Sequence, residues 1–161
     1  VVVQLVWSSI IQRKRSSIIQ TDSTTTLRCS VSRGNCINIF DGSLEGEATI
    51  FGQGQYITIF NNGSIKPGYS NGIGSITIAG NFFQTEFGRI DIGVDGSGQY
   101  SSIVLASSSF VKGIWGLLSL NWNPSDSFFL GQKIYPLSLF DGSPPPVASL
   151  IPFQVESNGY G

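Results

Sequence analysis

Alternating strand-like segments separated by glycine dominate the middle of the chain and limit what it can fold into. Within residues 63–94, the sequences SITI (75–78) and RIDI (89–92) place isoleucines two positions apart. In an extended strand, this spacing directs the isoleucines to one face and the polar residues to the other, because successive side chains alternate. The region is therefore predicted to form short strands joined by tight turns.

The composition indicates one all-β domain. Of the 161 residues, 40% are hydrophobic and 12% are charged, and 20 are glycine. This apolar content is sufficient for a sizeable core and argues against disorder. The net charge of -1 offers no basic surface to nucleic acid, so no nucleic-acid partner is predicted.

Strand-like segments recur along the chain. They lie at residues 36–40, 56–60, 74–79, 89–94, 102–106, 117–122 and 133–140, with a last strand within 147–155. The first three are about nineteen residues apart, which is close to the length of one coil of a parallel β-helix. A parallel β-helix (β-solenoid) is the expected fold. A β-sandwich or jelly roll is the alternative, because these folds also consist of short strands and turns.

In a β-helix, inward isoleucines from successive coils form ladders. The sequence predicts such ladders from the isoleucine pairs of successive coils: Ile37 and Ile39, Ile57 and Ile59, Ile76 and Ile78, Ile90 and Ile92. Each buried isoleucine contributes about 1.5–3 kcal/mol relative to exposure, so the ladders would supply most of the stability of the core.

Glycine-punctuated strand patterns occur in two stretches of the chain. The first carries Gly63, Ile65, Pro67, Gly68, Ser70, Gly72, Ile76, Ile78, Gly80, Asn81 and Phe82. The second carries Leu118, Leu120, Pro124, Gly131, Gln132, Ile134, Tyr135 and Leu137. The first stretch resembles the recurring strand unit of bacterial autotransporter passengers, and the second resembles the closing stretch of the same family. Together they span residues 63–141, about half of the chain. The resemblance implies an extracellular, autotransporter-like β-solenoid, and it does not extend to the first 35 residues.

Three parts of the chain are distinguished. Residues 1–35 are predicted to hold N-terminal strands, with a candidate donor strand and a disulfide loop. Residues 36–143 are predicted to form the β-solenoid core, and residues 144–161 a last strand preceded by a proline-rich strap.

The segment 1–11 is apolar but too short to span a bilayer, so no membrane span is predicted. Its pattern predicts an assembly strand, donated to another copy through Val1, Val3, Leu5 and Trp7.

Two features are typical of secreted proteins. Cys29 and Cys36 are the only cysteines, and an even count at short spacing in a chain rich in serine and glycine predicts a disulfide. Two free buried thiols are the alternative. Asn62 begins the sequence Asn-Gly-Ser, an acceptor for N-glycosylation, although an Asn-Gly turn explains the same residues. The protein is therefore expected to be extracellular or on the cell surface.

The residues give little support to catalysis. The chain has no histidine, which excludes Ser-His-Asp and Cys-His nucleophiles. The only local carboxylate groups are Glu45 with Glu47 and Asp91 with Asp95, and both pairs fit solvent-facing charges better than a general acid and base. Asp95 begins an Asp-Gly turn whose oxygen ligands could hold calcium. A turn that the Asp95 side chain stabilises through hydrogen bonds to nearby backbone groups is the simpler explanation of the same residues. No enzyme activity, cofactor or metal site is predicted.

The predicted function is structural. We expect a module of a surface fibre or filament that associates with itself through strand stacking or strand donation. The alternative is a carbohydrate-binding adhesin module, in which exposed aromatic residues such as Trp7, Trp115 and Trp122 stack on sugar rings. Its partners would be further copies of the chain or glycans.

Overall fold

The computed structural model describes residues 10–12, 18–21, 26–28, 37–51, 57–68, 73–106, 111–122, 137–139 and 154–159. These residues form strands and contain no helix. The strands are β1 (Ile10–Gln12), β2 (Ile18–Thr21), β3 (Thr26–Arg28), β4 (Ile37–Ile39), β5 (Ser43–Gly46), β6 (Ala48–Phe51), β7 (Ile57–Asn61), β8 (Ser64–Pro67), β9 (Ser75–Ala79), β10 (Asn81–Gln84), β11 (Arg89–Val94), β12 (Ser102–Leu105), β13 (Val111–Ile114), β14 (Leu117–Trp122), β15 (Leu137–Leu139) and β16 (Gln154–Gly159).

The strands assemble into three sheets that the chain visits in turn. Sheet 1 has the order β1-β4-β7-β10-β13, sheet 2 has β2-β5-β8-β11-β14-β16, and sheet 3 has β3-β6-β9-β12-β15. Neighbouring strands are parallel in all three sheets. Each coil therefore contributes one strand to each sheet, and each of these strands pairs with the corresponding strand of the next coil. The all-β parallel β-helix predicted from the sequence is confirmed.

The prediction that the isoleucine ladders run through all four isoleucine pairs was wrong. The isoleucines of β4 and β7 lie in sheet 1, those of β9 in sheet 3 and those of β11 in sheet 2. Alternation shows which face of a strand is apolar, but it does not show which sheet the strand joins. The segments β5, β6, β8, β10 and β13 were missed because a corner of only one or two residues separates each of them from one neighbouring strand.

The core consists of one or two columns of apolar side chains from each sheet. In sheet 2, one column stacks Leu44, Ile65, Ile90 and Leu118, all of them buried. In sheet 3, Ile50, Ile78 and Leu105 stack in the same way. In sheet 1, Phe82 follows Ile37 and Ile59. The inward direction of the described isoleucines is thus as the alternation predicts.

The strands near both termini extend these same sheets. β1, β2 and β3 pair with β4, β5 and β6, and β16 pairs with β14 over six residue pairs. The repeat length is uneven, because sheet 2 advances 21 residues from Ser43 to Ser64 and 28 residues from Arg89 to Leu117. Most of the extra residues lie in the corners and leave the register of sheet 2 intact, whereas sheet 1 has register shifts around Phe82.

The core columns predict a large difference between adjacent residues of β9. Ile78 is fully buried, whereas Thr77 lies half-buried on the outer face. We expect Ile78→Ala to lower the free energy of unfolding by about 2–5 kcal/mol, because it leaves a cavity. Thr77→Ala should change it by about 0.5 kcal/mol or less. Urea titration monitored by circular dichroism measures both, and equal losses would contradict this description of the core.

Candidate functional site

Four glycines are stacked where the chain passes from sheet 1 to sheet 2, a position that we call the first corner. Gly42, Gly63, Gly88 and Gly116 each immediately precede a strand of sheet 2. The residue after each of the last three glycines donates its backbone N–H to the glycine carbonyl of the coil below. The N···O distances are 2.8 Å from Ser64 to Gly42, 2.7 Å from Arg89 to Gly63 and 3.0 Å from Leu117 to Gly88.

These glycines permit an approach that a side chain would prevent. A Cβ atom at Gly63 would lie 2.4 Å from the carbonyl oxygen of Gly42, and one at Gly116 would lie 2.2 Å from that of Gly88. Gly116 also has a φ of 85°, in the left-handed region that favours glycine. The first corner therefore requires glycine at positions 63 and 116.

Buried amide side chains line the inner side of the first corner. Asn61 and Gln84 are almost completely buried and occupy one register position of sheet 1. The Nδ2 of Asn61 donates to Oε1 of Gln84 at 2.8 Å, and Nε2 of Gln84 donates to the carbonyl oxygen of Trp115 at 2.7 Å. The backbone N–H of Gly63 donates to Oδ1 of Asn61 at 3.1 Å. These bonds offset the cost of burying the two amides and join three coils.

Asn62 forms a second ladder on the outer side of the first corner. Its Nδ2 donates to the carbonyl oxygen of Phe40 at 3.1 Å, and its Oδ1 accepts the hydroxyl proton of Thr85 at 2.5 Å. Asn62 and Gly63 form a bend between β7 and β8 in which neither residue has a positive φ, so this is a corner of the coil and not a hairpin turn. Glycosylation of Asn62 stays a prediction, and a glycan would replace one of its two amide hydrogens while the other can still bond to Phe40.

Aromatic rings follow the first corner along the outside of sheet 1. Phe40 lies 6.0 Å from Phe60 between ring centroids, Phe60 lies 5.5 Å from Phe83, and Phe83 lies 5.0 Å from Trp115. The Phe60 and Phe83 rings are stacked at 20°, so their facing surfaces are covered by each other. This arrangement stabilises neighbouring coils and leaves less ring surface for a sugar.

The three tryptophans do not form a platform within the described part of the chain. Trp115 belongs to the aromatic stack, whereas Trp122 ends β14 and is partly buried against the core. Trp7 lies outside the described residues. The most exposed large apolar side chain that the structure describes is Phe87, at 73%. It lies in the loop of four residues at the first corner between β10 and β11.

The predicted carboxylate groups are separated in the structure. Glu45 forms an ion pair with Lys66 at 3.0 Å on the outer face of sheet 2, whereas Glu47 follows the bend at Gly46, whose φ is 102°. Asp91 forms an ion pair with Arg89 and accepts a hydrogen bond from Ser64 at 2.7 Å. Both sheet-2 carboxylates are therefore neutralised by cations, which is typical of a solvent-facing ladder.

The Asp95 side chain stabilises the turn that follows β11 by accepting hydrogen bonds from Ser97 and Gln99. Its Oδ1 accepts hydrogen bonds from the hydroxyl of Ser97 at 2.7 Å and from the backbone N–H groups of Ser97 and Gln99 at 2.9 and 2.8 Å. These bonds, with the Ser97 hydroxyl as the largest contribution, hold the pKa of Asp95 below its ordinary value. No group of three or more potential metal-binding side chains occurs among the residues that the structure describes.

Several predicted site residues cannot be placed. Cys29, Cys36, Val1, Val3 and Leu5 lie outside the described residues. Their disulfide and assembly roles stay predictions. The sequence-based predictions did not include the first corner. Its one signal is a glycine directly before each of Ser43, Ser64, Arg89 and Leu117, and these four positions can be compared only once the register of sheet 2 is known.

Comparison of the chain with protein-family models, curated proteins and solved structures finds no match. Among the described residues, no helix is long and apolar enough to cross a membrane.

The turn at Asp95 predicts a specific titration. A carboxyl group with a lowered pKa stabilises the fold fully above its unfolded pKa of about 3.9, and this contribution is lost as the pH falls through the folded value. Carbon-detected NMR should show the Asp95 carboxyl titrating below the ordinary aspartate range. Ser97→Ala should raise that pKa, because it removes the largest stabilising contact. An unchanged pKa in this variant would contradict the assignment.

Proposed function

We propose that the protein is a structural module of an extracellular surface fibre or filament and that it associates with itself by stacking coils end to end. The supporting observation is that strand pairing in all three sheets runs along one axis and in one direction. Within the described part of sheet 2, β2 pairs only with β5 and β16 pairs only with β14. The outer edges of β2 and β16 are therefore the surfaces that a further coil would cover.

Parallel pairing determines which assembly is available. Because every strand in a sheet runs the same way, the last coil of one copy can be continued by the first coil of another without reversing direction. Contacts of this kind join two different surfaces, so they do not close on themselves as a two-fold dimer does. Without a rotation that closes a ring, they generate open filaments.

The register of sheet 2 continues its core column into both end strands. Ile19 of β2 is in register with buried Leu44, and Val155 of β16 is in register with Leu118. Stacking two copies would place these two positions next to each other in the same column. Burial of apolar surface would then drive association, and backbone hydrogen bonds would set its direction.

Stacking accounts for the described strands better than donation of residues 1–11. Ile10 and Ile11 belong to β1, which pairs with β4 of the same chain. The last two residues of the predicted donor strand thus extend the protein's own sheet 1. The extracellular location in this proposal rests on the passenger resemblance, the cysteine pair and the glycosylation sequence.

Adjacent substitutions in β2 test the stacking. Ile19→Lys places a charge at the register position of the core column, whereas Gln20→Lys places the same charge at the register position of Glu45, which is on the outer face. We expect purified wild-type protein and Gln20→Lys to form filaments as concentration rises, and Ile19→Lys to form none. Negative-stain electron microscopy and sedimentation velocity measure this difference.

A mixing experiment separates blocked stacking from misfolding. Ile19→Lys leaves the β16 end unchanged, so a small proportion of the folded variant should cap growing wild-type filaments at one end and shorten them. Circular dichroism confirms that the variant retains its β-structure. A wild-type chain that stays monomeric at every concentration, or a Gln20→Lys variant that fails as completely as Ile19→Lys, would contradict the proposal.

A further inference from the structure

The first corner combines two residues that are chemically labile when adjacent. Asn-Gly is the sequence in which an asparagine most readily loses its amide, because glycine presents no Cβ to hinder attack by its own backbone nitrogen. The fold needs glycine at position 63, where a Cβ would lie 2.4 Å from Gly42 O and 2.8 Å from Ile39 Cγ2. It also uses Asn62 to connect the coils below and above. The corner therefore cannot easily avoid the Asn-Gly sequence.

We propose that Asn62 is a latent deamidation site that the folded first corner keeps unreactive. In the reaction, the backbone nitrogen of Gly63 attacks Cγ of Asn62, and a five-membered succinimide forms. The Nδ2 leaves as ammonia and takes up the proton lost by the Gly63 nitrogen. Water then opens either imide C–N bond and leaves aspartate or isoaspartate at position 62. The only co-reactant is water.

Each group that must move in this reaction is held by a neighbouring coil or residue. The Gly63 N–H, the source of the nucleophile, donates to Oδ1 of Asn61 at 3.1 Å. The leaving Nδ2 of Asn62 donates to Phe40 O, and Oδ1 of Asn62 accepts from Thr85. The rotation that brings Cγ to the Gly63 nitrogen would break the last two bonds at once.

The backbone around Asn62 is also fixed. The Asn62 N–H donates to the carbonyl oxygen of Ile39 at 2.7 Å, and the Gly63 carbonyl accepts from the N–H of Arg89 at 2.7 Å. Succinimide formation needs the intervening peptide to rotate, which these inter-coil bonds oppose. The reaction must therefore wait for local opening of the corner.

Deamidation during such an opening would permanently change the contacts that residue 62 can make at the first corner. Aspartate at position 62 has no N–H to donate, so a carboxylate oxygen would face the carbonyl oxygen of Phe40. Isoaspartate would in addition lengthen the backbone by one atom between Asn61 and Gly63, where the sheet-2 register begins. A chain modified in this way would rebuild the first corner less readily than an unmodified chain.

The test compares the rate of deamidation in the folded and unfolded chain. The full-length protein, made in a host that adds no N-glycans, is incubated at neutral pH with and without urea. Peptide mass spectrometry then follows position 62 and the other Asn-Gly sequences, Asn71-Gly72 and Asn158-Gly159. In urea, all three should react at similar rates. Without urea, Asn62 should react at least about tenfold more slowly than it does in urea.

Two valine variants test whether the ladder provides this protection. Thr85→Val removes the hydroxyl that holds Asn62 and keeps the branched shape, so it should accelerate deamidation of Asn62 in the folded chain. Thr77→Val removes a hydroxyl from the outer face of sheet 3 and should leave the rate unchanged. Equal rates at Asn62 with and without urea would overturn the proposal. An unchanged rate in folded Thr85→Val would also overturn it.

Discussion

The close contact between successive backbones at the first corner is the constraint on which the described structure most depends. At this position, glycine carbonyls accept hydrogen bonds from the next coil at 2.7–3.0 Å, and no space remains for a Cβ at Gly63 or Gly116. Because strands of sheet 2 begin directly after these glycines, the contact sets where each strand starts. The columns of buried residues in that sheet follow from the same starting point.

The outer faces of sheets 1 and 2 carry different kinds of side-chain contact. Sheet 1 carries a stack of aromatic rings on its outer side, and sheet 2 carries the ion pairs of Glu45 with Lys66 and of Asp91 with Arg89. Both sets join residues of different coils or support the strand that bears them. The proposed self-association uses the two ends of the coil stack, where the described end strands β2 and β16 pair on one side only.

The sequence predicted the local structure well and the higher-order pairing poorly. The spacing of Ile76 and Ile78, and of Ile90 and Ile92, correctly predicted strands with buried isoleucines, because side chains on one face of a strand recur every second residue. It could not show that these strands belong to sheets 3 and 2, since residues that stack between β5 and β14 of sheet 2 are 21 to 28 positions apart.

The polar ladders were beyond prediction for a related reason. Asn61 and Gln84 are buried side by side, although 23 positions separate them, and neither residue type suggests a core position. Asn62 was singled out only as a glycosylation acceptor or a turn residue. Its role in connecting three coils depends on Phe40 and Thr85, whose proximity requires the register.

Amide hydrogen exchange in the Gly63→Ala variant would show whether contact at the first corner determines how the coils stack. Relative to wild type, exchange at the Ser64 and Arg89 amides should accelerate at least about tenfold, because both bond to glycine carbonyls at this corner. The Ala106 amide, which bonds to Ile78 in sheet 3, should change far less. Equal acceleration at all three amides, or none at any of them, would contradict the account.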